Sequence, residues 1–336
     1  MTKIIDLAVI GAASPAGEAI LRLLDEGRFP LGELYVVDAD NSEEQYVDFR
    51  DDSLPLAELE TFDFSKVQLA IFLTGEQTSA EYVSRATQNG CIVIDTSRAF
   101  RQDEDVPLVI AGINPELIDD FRQRDLIAIP SSAALQLLTV LKPIDDAVGI
   151  TSVQVTAMLS VSEAGKRGQE ELGRQTISML NFNEIERDVF PGQIAFNLIP
   201  ETGPFADGGY SLIELDIIKE AQKILSNGKI SISATAIQAP VFYGHSEVVH
   251  ITTRDAVSAD KIGEILDNAP DVIVMQSQYP TPVSCASAEP GVYVGRIRED
   301  LDAENGISLW IVADNIRHGI ARNSVQVAEI LVKGYL

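Results

Sequence analysis

A short apolar run that ends at a glycine is the feature that most restricts the fold of this chain. Residues 4–10 are apolar except for Asp6, and Gly11 ends the run. Residues 17–24 then carry apolar side chains at helical spacing. A strand, a glycine turn and a helix in this order predict the start of a sheet whose strands run parallel.

Four further apolar runs continue this pattern along the first part of the chain. They occupy residues 34–37, 67–73, 91–94 and 126–129. A strand that is apolar throughout is covered on both faces, as in a parallel sheet flanked by helices. The sequence therefore predicts an α/β fold with a Rossmann-type, doubly wound sheet.

The pattern changes after Pro143, which indicates a second domain. Residues 152–161 and 230–239 alternate apolar and polar side chains, as a strand with one covered face does. Residues 181–209 contain several prolines and glycines, and they are predicted to form a long ordered loop or an inter-subunit arm. Helical spacing is found at residues 211–225 and 315–332.

The charge and cysteine content restrict the partners of the chain. The formal net charge is -26, and no cluster of Lys and Arg offsets it locally. Such a chain repels nucleic acid and anionic lipid, and no apolar run approaches the roughly 20 residues of a membrane helix. Cys91 and Cys285 are the only cysteines, and they lack metal-ligand spacing. We expect a cytoplasmic protein with no disulfide, no metal, no nucleic-acid partner and no membrane partner.

The first turn has features of a dinucleotide site. Gly11 and Gly17 take the tight-turn and helix-packing positions, and Ser14 stands where a glycine would let a pyrophosphate approach most closely. Asp38 ends the second predicted strand, where a carboxylate holds the ribose hydroxyls of NAD and repels the 2′-phosphate of NADP. These residues predict weak binding that favours NAD over NADP. A purely structural turn explains the glycines equally well, and Asp38 also fits an ordinary surface aspartate.

His245 is the histidine best placed for chemistry, because it follows a predicted strand and Gly244. An imidazole presented in this way can transfer protons in a cleft. A structural role is the common alternative for a lone histidine. For His250 and His318 we expect only surface or core roles.

Seven short segments occur in the same order as in the aspartate-semialdehyde dehydrogenase family, and the resemblance runs nearly end to end. The segments are residues 95–101, 105–109, 141–143, 244–247, 279–282, 294–298, and 313–315 with Gln326. The family belongs to amino-acid biosynthesis and reduces aspartyl phosphate, or oxidises aspartate semialdehyde in reverse. The resemblance implies an oxidoreductase scaffold that binds NAD(P).

The resemblance also implies two domains and a dimer. Residues 1–132 with 316–336 are expected to form an NAD(P)-binding Rossmann domain. Residues 133–315 are expected to form a mixed α/β domain that carries substrate residues and the dimer interface. A homodimer is the family expectation.

The family reaction passes through a thioester, in which a cysteine thiolate attacks, a histidine moves the proton and NADP exchanges hydride. The resemblance places Ser132 at the cysteine position and His245 at the histidine position, and it makes Arg101 a phosphate-binding residue for a small anionic ligand. A serine hydroxyl is hardly ionised near neutral pH and is a poor nucleophile unless a base activates it. The candidate cofactor residues are Gly11, Ser14, Gly17, Asp38, Gly75 and Gln326.

Other substrate positions also differ from the family. Leu159 aligns with a glutamine near the nucleophile, and Gln238 aligns with an arginine that binds the substrate carboxylate. Ile213 and Asp216 align, less securely, with an acid and a lysine. Glutamine cannot form the two-fold ion pair that arginine offers a carboxylate. We therefore expect the family activity to be lost or altered, as in the Usg-type paralogues, which the chain resembles most and which also lack the cysteine.

Two other functions are compatible with the sequence. Ser132 and His245 could perform acyl transfer as a nucleophile and base, although no third residue is evident to orient the histidine. The chain could also be a regulatory or structural partner that dimerises with an active paralogue.

Overall fold

The computed structural model describes residues 4–27, 29–38, 46–225, 230–286 and 289–336. It divides into two compact units, one of residues 1–131 with 320–336 and one of residues 132–319. Each unit contains a six-stranded sheet. Within the described ranges, no helix is both long and apolar enough to cross a membrane.

The first unit contains the parallel sheet that the apolar runs predict. Its strands are β1 (Ile5–Ile10), β2 (Leu31–Asp38), β5 (Ala57–Glu58), β6 (Leu69–Phe72), β7 (Ile92–Asp95) and β8 (Leu126–Ala128), beside a hairpin of β3 (Tyr46–Phe49) and β4 (Asp52–Pro55). Its helices are α1 (Pro15–Glu26), α2 (Glu76–Gln88), α8 (Asn323–Gly334) and the 3-10 helices Phe64–Lys66 and Pro115–Gln123. The sheet order is β5-β2-β1-β6-β7-β8, and every neighbouring pair is parallel. This confirms the predicted Rossmann-type fold.

The turn after β1 is held by side-chain and backbone hydrogen bonds. Gly11 has φ +82, and a Cβ there would lie 2.8 Å from the carbonyl oxygen of Leu73. The Ser14 hydroxyl donates to the Gly11 carbonyl (2.7 Å) and accepts from the Gly17 N–H (3.1 Å), so Ser14 is the N-cap of α1. A Cβ on Gly17 would overlap the Ala12 carbonyl oxygen. Both glycines are therefore required by the turn itself.

The second unit contains a mixed sheet with α3 packed on it. Its strands are β9 (Ile150–Leu159), β10 (Ser231–Gln238), β11 (His245–Thr253), β12 (Val272–Met275), β13 (Val292–Glu299) and β14 (Gly306–Ala313). Its helices are α3 (Ser132–Val148), α4 (Gly165–Leu180), α5 (Leu212–Ile224), α6 (Ala259–Asp267), α7 (Pro282–Ala286) and the 3-10 helix Val161–Ala164; a π-helical segment spans Asn315–Arg322. The order is β10-β9-β11-β14-β13-β12, with parallel outer pairs and antiparallel inner pairs. Helix α3 contacts β9, β11, β13 and β14.

The segment between α4 and α5 is the predicted ordered loop. Two buried side chains of α4 accept hydrogen bonds from the backbone of this loop. Glu171 accepts from the N–H groups of Asp188 and Val189. Gln175 accepts from those of Ile194 and Ala195. Apolar side chains of the loop pack with others into a small core of Val161, Leu172, Phe190, Ile194, Ala195 and Ile199. The loop therefore has a defined course without regular secondary structure. Its use as an inter-subunit arm stays a prediction.

Replacing Gly11 with alanine tests the turn. Gly11→Ala is expected to destabilise the protein by about 2 kcal/mol, because it forces a Cβ into a left-handed conformation and against the Leu73 carbonyl. Urea denaturation followed by circular dichroism measures the change. Gly192→Ala is the matched control, since a Cβ at Gly192 would meet only the Ile199 side chain at 3.8 Å, and its stability should change by less than about 0.5 kcal/mol. Equal losses in the two variants would contradict the argument.

Candidate active site

Ser132 lies at the N-terminal end of α3, where the helix dipole favours negative charge. The helix begins two residues after Pro130, whose ring restricts the residue before it to extended conformations. Ser132 is 2% exposed. Its hydroxyl lies 3.0 Å from Nε2 of His245, although 113 residues separate the two in sequence.

His245 is the first residue of β11 and has no solvent exposure. Gly244 precedes it with φ +88, and a Cβ there would lie 3.2 Å from Pro282, so the approach to the strand requires a glycine. The structure therefore brings the two predicted reactive residues, Ser132 and His245, into contact. His250 is exposed and bonds Ser308, whereas His318 is buried.

Glu163 is a third member of this cluster that the sequence did not indicate. Its Oε2 accepts from the Ser132 hydroxyl at 2.9 Å and lies 3.0 Å from Nε2 of His245. Glu163 belongs to the 3-10 helix that follows β9, and its side chain is 32% exposed. A carboxylate thus lies between the serine, the histidine and solvent.

The tautomer of His245 is set by Ser160. The backbone N–H of Ser160 donates to Nδ1 of His245 at 3.1 Å, so Nδ1 must present a lone pair. The neutral ring then carries its proton on Nε2, which can donate to Glu163 Oε2. An Nε2 that already carries a proton has no lone pair with which to accept the Ser132 proton. The Ser132 proton is directed to Glu163 instead.

Asn315 holds the backbone around His245 in place. Its Oδ1 accepts from the hydroxyls of Ser160 (3.0 Å) and Ser162 (3.1 Å) and from the Gly244 N–H (3.1 Å). Asn315 is buried, and so are both serines. Asn315 lies within a segment shared with the family, but its sequence position does not reveal which turns its side chain joins.

The altered substrate positions lie at the ends of two paired strands. Leu159 ends β9 and is buried, and Gln238 ends β10 directly beside it in register. The Gln238 amide donates to the Leu159 carbonyl at 2.9 Å. Asp216 is buried on α5, and Ile213 is half-buried on the same helix. Gln238 therefore uses its side chain within the fold.

Glu247 lies two residues beyond His245 on β11 and has no solvent exposure. Burial raises the pKa of the Glu247 carboxyl well above its usual range, and the amide of Gln136 on α3 offsets this only in part. Gln136 is four residues after Ser132 on α3. A carboxyl group with a raised pKa and an amide therefore follow His245 on β11 and Ser132 on α3, two and four residues further along.

Arg101 belongs to the first unit and is buried there. Its guanidinium donates through Nε to the Ile129 carbonyl (3.0 Å) and through Nη2 to the Thr96 carbonyl (2.6 Å). These bonds hold the Arg101 side chain against the backbone of the first unit. Its phosphate-binding role stays a prediction.

Except for Gln326, the predicted cofactor residues lie at the carboxyl ends of β1, β2 and β6 or in the segments that follow them. Asp38 ends β2, and Gly75 is the N-cap of α2 after β6. No side chain caps α2, and a Cβ on Gly75 would meet nothing within 4 Å, so the first-turn N–H groups of α2 are open to a phosphate. Ser14, by contrast, already occupies the Gly17 N–H of α1. Gln326 is half-buried on α8.

The described part of the chain contains no group of three or more His, Cys, Asp or Glu side chains that could hold a metal ion.

Known proteins resemble the chain along its whole length. Residues 6–121 match the family described as semialdehyde dehydrogenase, NAD binding domain, and residues 141–318 match semialdehyde dehydrogenase, dimerisation domain. Aspartate-semialdehyde dehydrogenase 2 of Vibrio cholerae serotype O1 is 40% identical over 336 residues, with 100% of both chains covered.

Solved structures also resemble it. The crystal structure of aspartate semialdehyde dehydrogenase II complexed with ASA from Vibrio cholerae has a TM-score of 0.97 at 40% identity and covers 99% of this chain and 100% of its own. Aspartate semialdehyde dehydrogenase with NADP from Candida albicans shares the fold, with a TM-score of 0.76 at 20% identity and 98% of both chains covered.

Glu247→Gln tests the buried acid. A carboxyl whose pKa is raised by folding contributes its stability below its unfolded pKa of about 4.3 and loses it as pH rises toward the folded value. The unchanged protein should therefore lose about 1.4 kcal/mol per pH unit in that window relative to Glu247→Gln. Denaturant titrations at pH 5, 6.5 and 8 measure the difference. Glu170→Gln, on the exposed side of α4, is the control. Parallel pH profiles for all three proteins would refute the raised pKa of Glu247.

Proposed function

Because the chain belongs to the aspartate-semialdehyde dehydrogenase family, we propose that it keeps the family scaffold but does not carry out the family reaction. The observation that carries this proposal is Ser132 at the nucleophile position, with its hydroxyl proton directed to Glu163. Thioester formation requires a thiolate, and a serine hydroxyl does not provide one near neutral pH.

The substrate-binding positions support the same proposal. A substrate carboxylate would meet the neutral amide of Gln238, which already donates to the Leu159 carbonyl. Asp216 would add a negative charge where the family alignment has a lysine. A charged hydrogen bond contributes about 1.5–3 kcal/mol, so these changes weaken binding as well as chemistry.

The acyl-transfer alternative has less support. That alternative makes His245 the base for Ser132, but the Ser160 N–H fixes the lone pair of the neutral ring on Nδ1, which is not the nitrogen that faces the Ser132 hydroxyl. The role of a dimer partner is compatible with the proposal, because the chain carries the family's dimerisation domain. We place the chain among the Usg-type paralogues and infer a homodimer.

We further propose that the NAD-binding domain binds NAD weakly and NADP more weakly still. Ser14 uses the Gly17 N–H that a pyrophosphate would otherwise accept from, which supports weak binding. Asp38 at the end of β2 would repel a 2′-phosphate. Arg101 remains the residue to which we assign a small anionic ligand.

Calorimetric titration with both dinucleotides tests the cofactor proposal. Asp38→Ser is expected to raise the affinity for NADP relative to NAD by about tenfold, since it removes one like charge near the 2′-phosphate. Asp51→Ser, in the exposed turn between β3 and β4, should leave the ratio unchanged. Tighter binding of NADP than of NAD by the unchanged protein would show that Asp38 does not have this role.

Restoring the thiol tests the loss of activity. Ser132→Cys alone is not expected to restore semialdehyde oxidation, because Leu159 and Gln238 leave the substrate without its polar and ionic contacts. The triple variant Ser132→Cys, Leu159→Gln, Gln238→Arg should exceed the single variant by about tenfold or more in kcat/KM, since groups that act together are non-additive. The assay is NADPH formation from aspartate semialdehyde and phosphate at saturating cofactor.

Ser131→Cys is the matched control for that series, because it places a thiol one residue before α3. It should be as inactive as the unchanged protein. Robust turnover by the single variant or by the unchanged protein would overturn the proposed loss of activity.

A further inference from the structure

Glu163, Ser132 and His245 form a compact triangle of polar atoms. Glu163 Oε2 lies 2.9 Å from Ser132 Oγ and 3.0 Å from His245 Nε2, and those two atoms are 3.0 Å apart. Ser132 is 2% exposed and His245 has no exposure, whereas the Glu163 side chain is 32% exposed. The carboxylate is therefore the part of the triangle that faces solvent.

Two distance conditions restrict where the reacting atom of a substrate can lie at such a pair. It must lie about 3 Å from the nucleophile and within hydrogen-bond reach of the group that transfers the proton. Glu163 Oε2 meets both conditions. A substrate carbonyl or phosphoryl group cannot take that position while the carboxylate is in it.

We propose that Glu163 is an internal ligand that occupies the substrate position of the Ser132 and His245 pair, and that it competes with a substrate or reagent for this position and so slows nucleophilic chemistry whichever residue stands at position 132. The proposal rests on the proposed function, which identifies Ser132 as the nucleophile position. Occupation of the substrate position by Glu163 is a further obstacle to the reaction, separate from the missing thiol and the altered substrate contacts.

The backbone that carries Glu163 is well fixed. Val161 N–H donates to the Val241 carbonyl (2.9 Å), and Ser162 N–H donates to the Phe242 carbonyl (3.2 Å). The Ser162 hydroxyl donates to Asn315. Hydrogen bonds on the two preceding residues therefore fix the backbone from which the Glu163 side chain reaches the pair.

The charge of Glu163 has a consequence for any thiol placed at position 132. A carboxylate within hydrogen-bond distance disfavours a neighbouring thiolate, since two negative charges repel. It also holds the Nε2 proton of His245, which would otherwise stabilise that thiolate. Removing the carboxylate should therefore make the thiol more acidic and more accessible.

Alkylation of an introduced cysteine measures both effects without any substrate. Ser132→Cys, Ser132→Cys/Glu163→Gln and Ser132→Cys/Glu163→Ala are treated with iodoacetamide between pH 5 and 10; the thiolate sulfur bonds the methylene carbon and iodide leaves. At pH 7 the alanine double variant is expected to react at least about tenfold faster than the single variant, with a lower thiol pKa. The glutamine double variant should fall between them, because it removes the charge but keeps the side chain in place.

The two native cysteines set the background of this measurement. Burial raises the pKa of the Cys91 thiol to about 12 and that of Cys285 to about 11, so both should react slowly, and peptide mass mapping separates them from position 132. Ser132→Cys/Glu170→Ala is the matched control and should react like the single variant. Circular dichroism melting of each variant verifies folding, and the glutamine variant carries the comparison if the alanine variant unfolds.

Rates and thiol pKa values that agree within twofold across the Glu163 series would overturn the proposal. Equal rates for the glutamine and alanine variants would overturn its claim that the side chain fills the position. Because no semialdehyde or phosphate is present, these outcomes are independent of turnover by the triple variant. A failure here is thus distinguishable from a failure of the proposed function.

Discussion

The chemistry of the candidate site depends on one hydrogen bond, from the Ser160 backbone to Nδ1 of His245. A backbone N–H can only donate, so it fixes where the ring keeps its lone pair. Nε2 then becomes a donor toward Glu163, and the Ser132 hydroxyl also donates to that carboxylate. The donor and acceptor roles around His245 thus follow from a backbone group that does not titrate.

The polar groups of the site largely satisfy one another. Gln238 donates to the Leu159 carbonyl, Ser132 donates to Glu163, and Asn315 accepts from three donors around His245. A ligand must replace such bonds rather than add to them, and each replacement gains little free energy. The altered positions are therefore consistent with a site that has become part of the fold.

The sequence predicted the parallel sheet well because its strands are short, apolar and separated by helices. It predicted β9 and β10 from their alternation, but not β11, β13 or β14. Strand β14 is buried along nearly its whole length, so its side chains do not alternate, and a run of eight residues that is apolar except for Ser308 fits a buried helix as well. Helix α3 also continues past Pro143, the residue after which the sequence pattern had indicated a second domain.

The sequence also predicted that Ser132 and His245 belong together, because both align with reactive family positions. It could not indicate Glu163, Ser160 or Asn315, since their roles arise from contacts between segments far apart in the chain. A glutamate in a polar stretch has no pattern that separates a solvated side chain from an internal ligand. Only the folded arrangement of β9, α3 and β11 makes that distinction.

Glu171 and Gln175 fix the backbone of the loop between α4 and α5. This lowers the conformational entropy that the loop would lose if another surface bound to it. The loop exposes several large apolar side chains, among them Phe182, Phe196 and Leu198. A flexible segment would lose conformational entropy when a surface closed over it, and that loss opposes association. In this protein the side chains of α4 already order the loop when the chain folds. Whatever covers these side chains gains the burial of apolar area with little further loss of chain entropy.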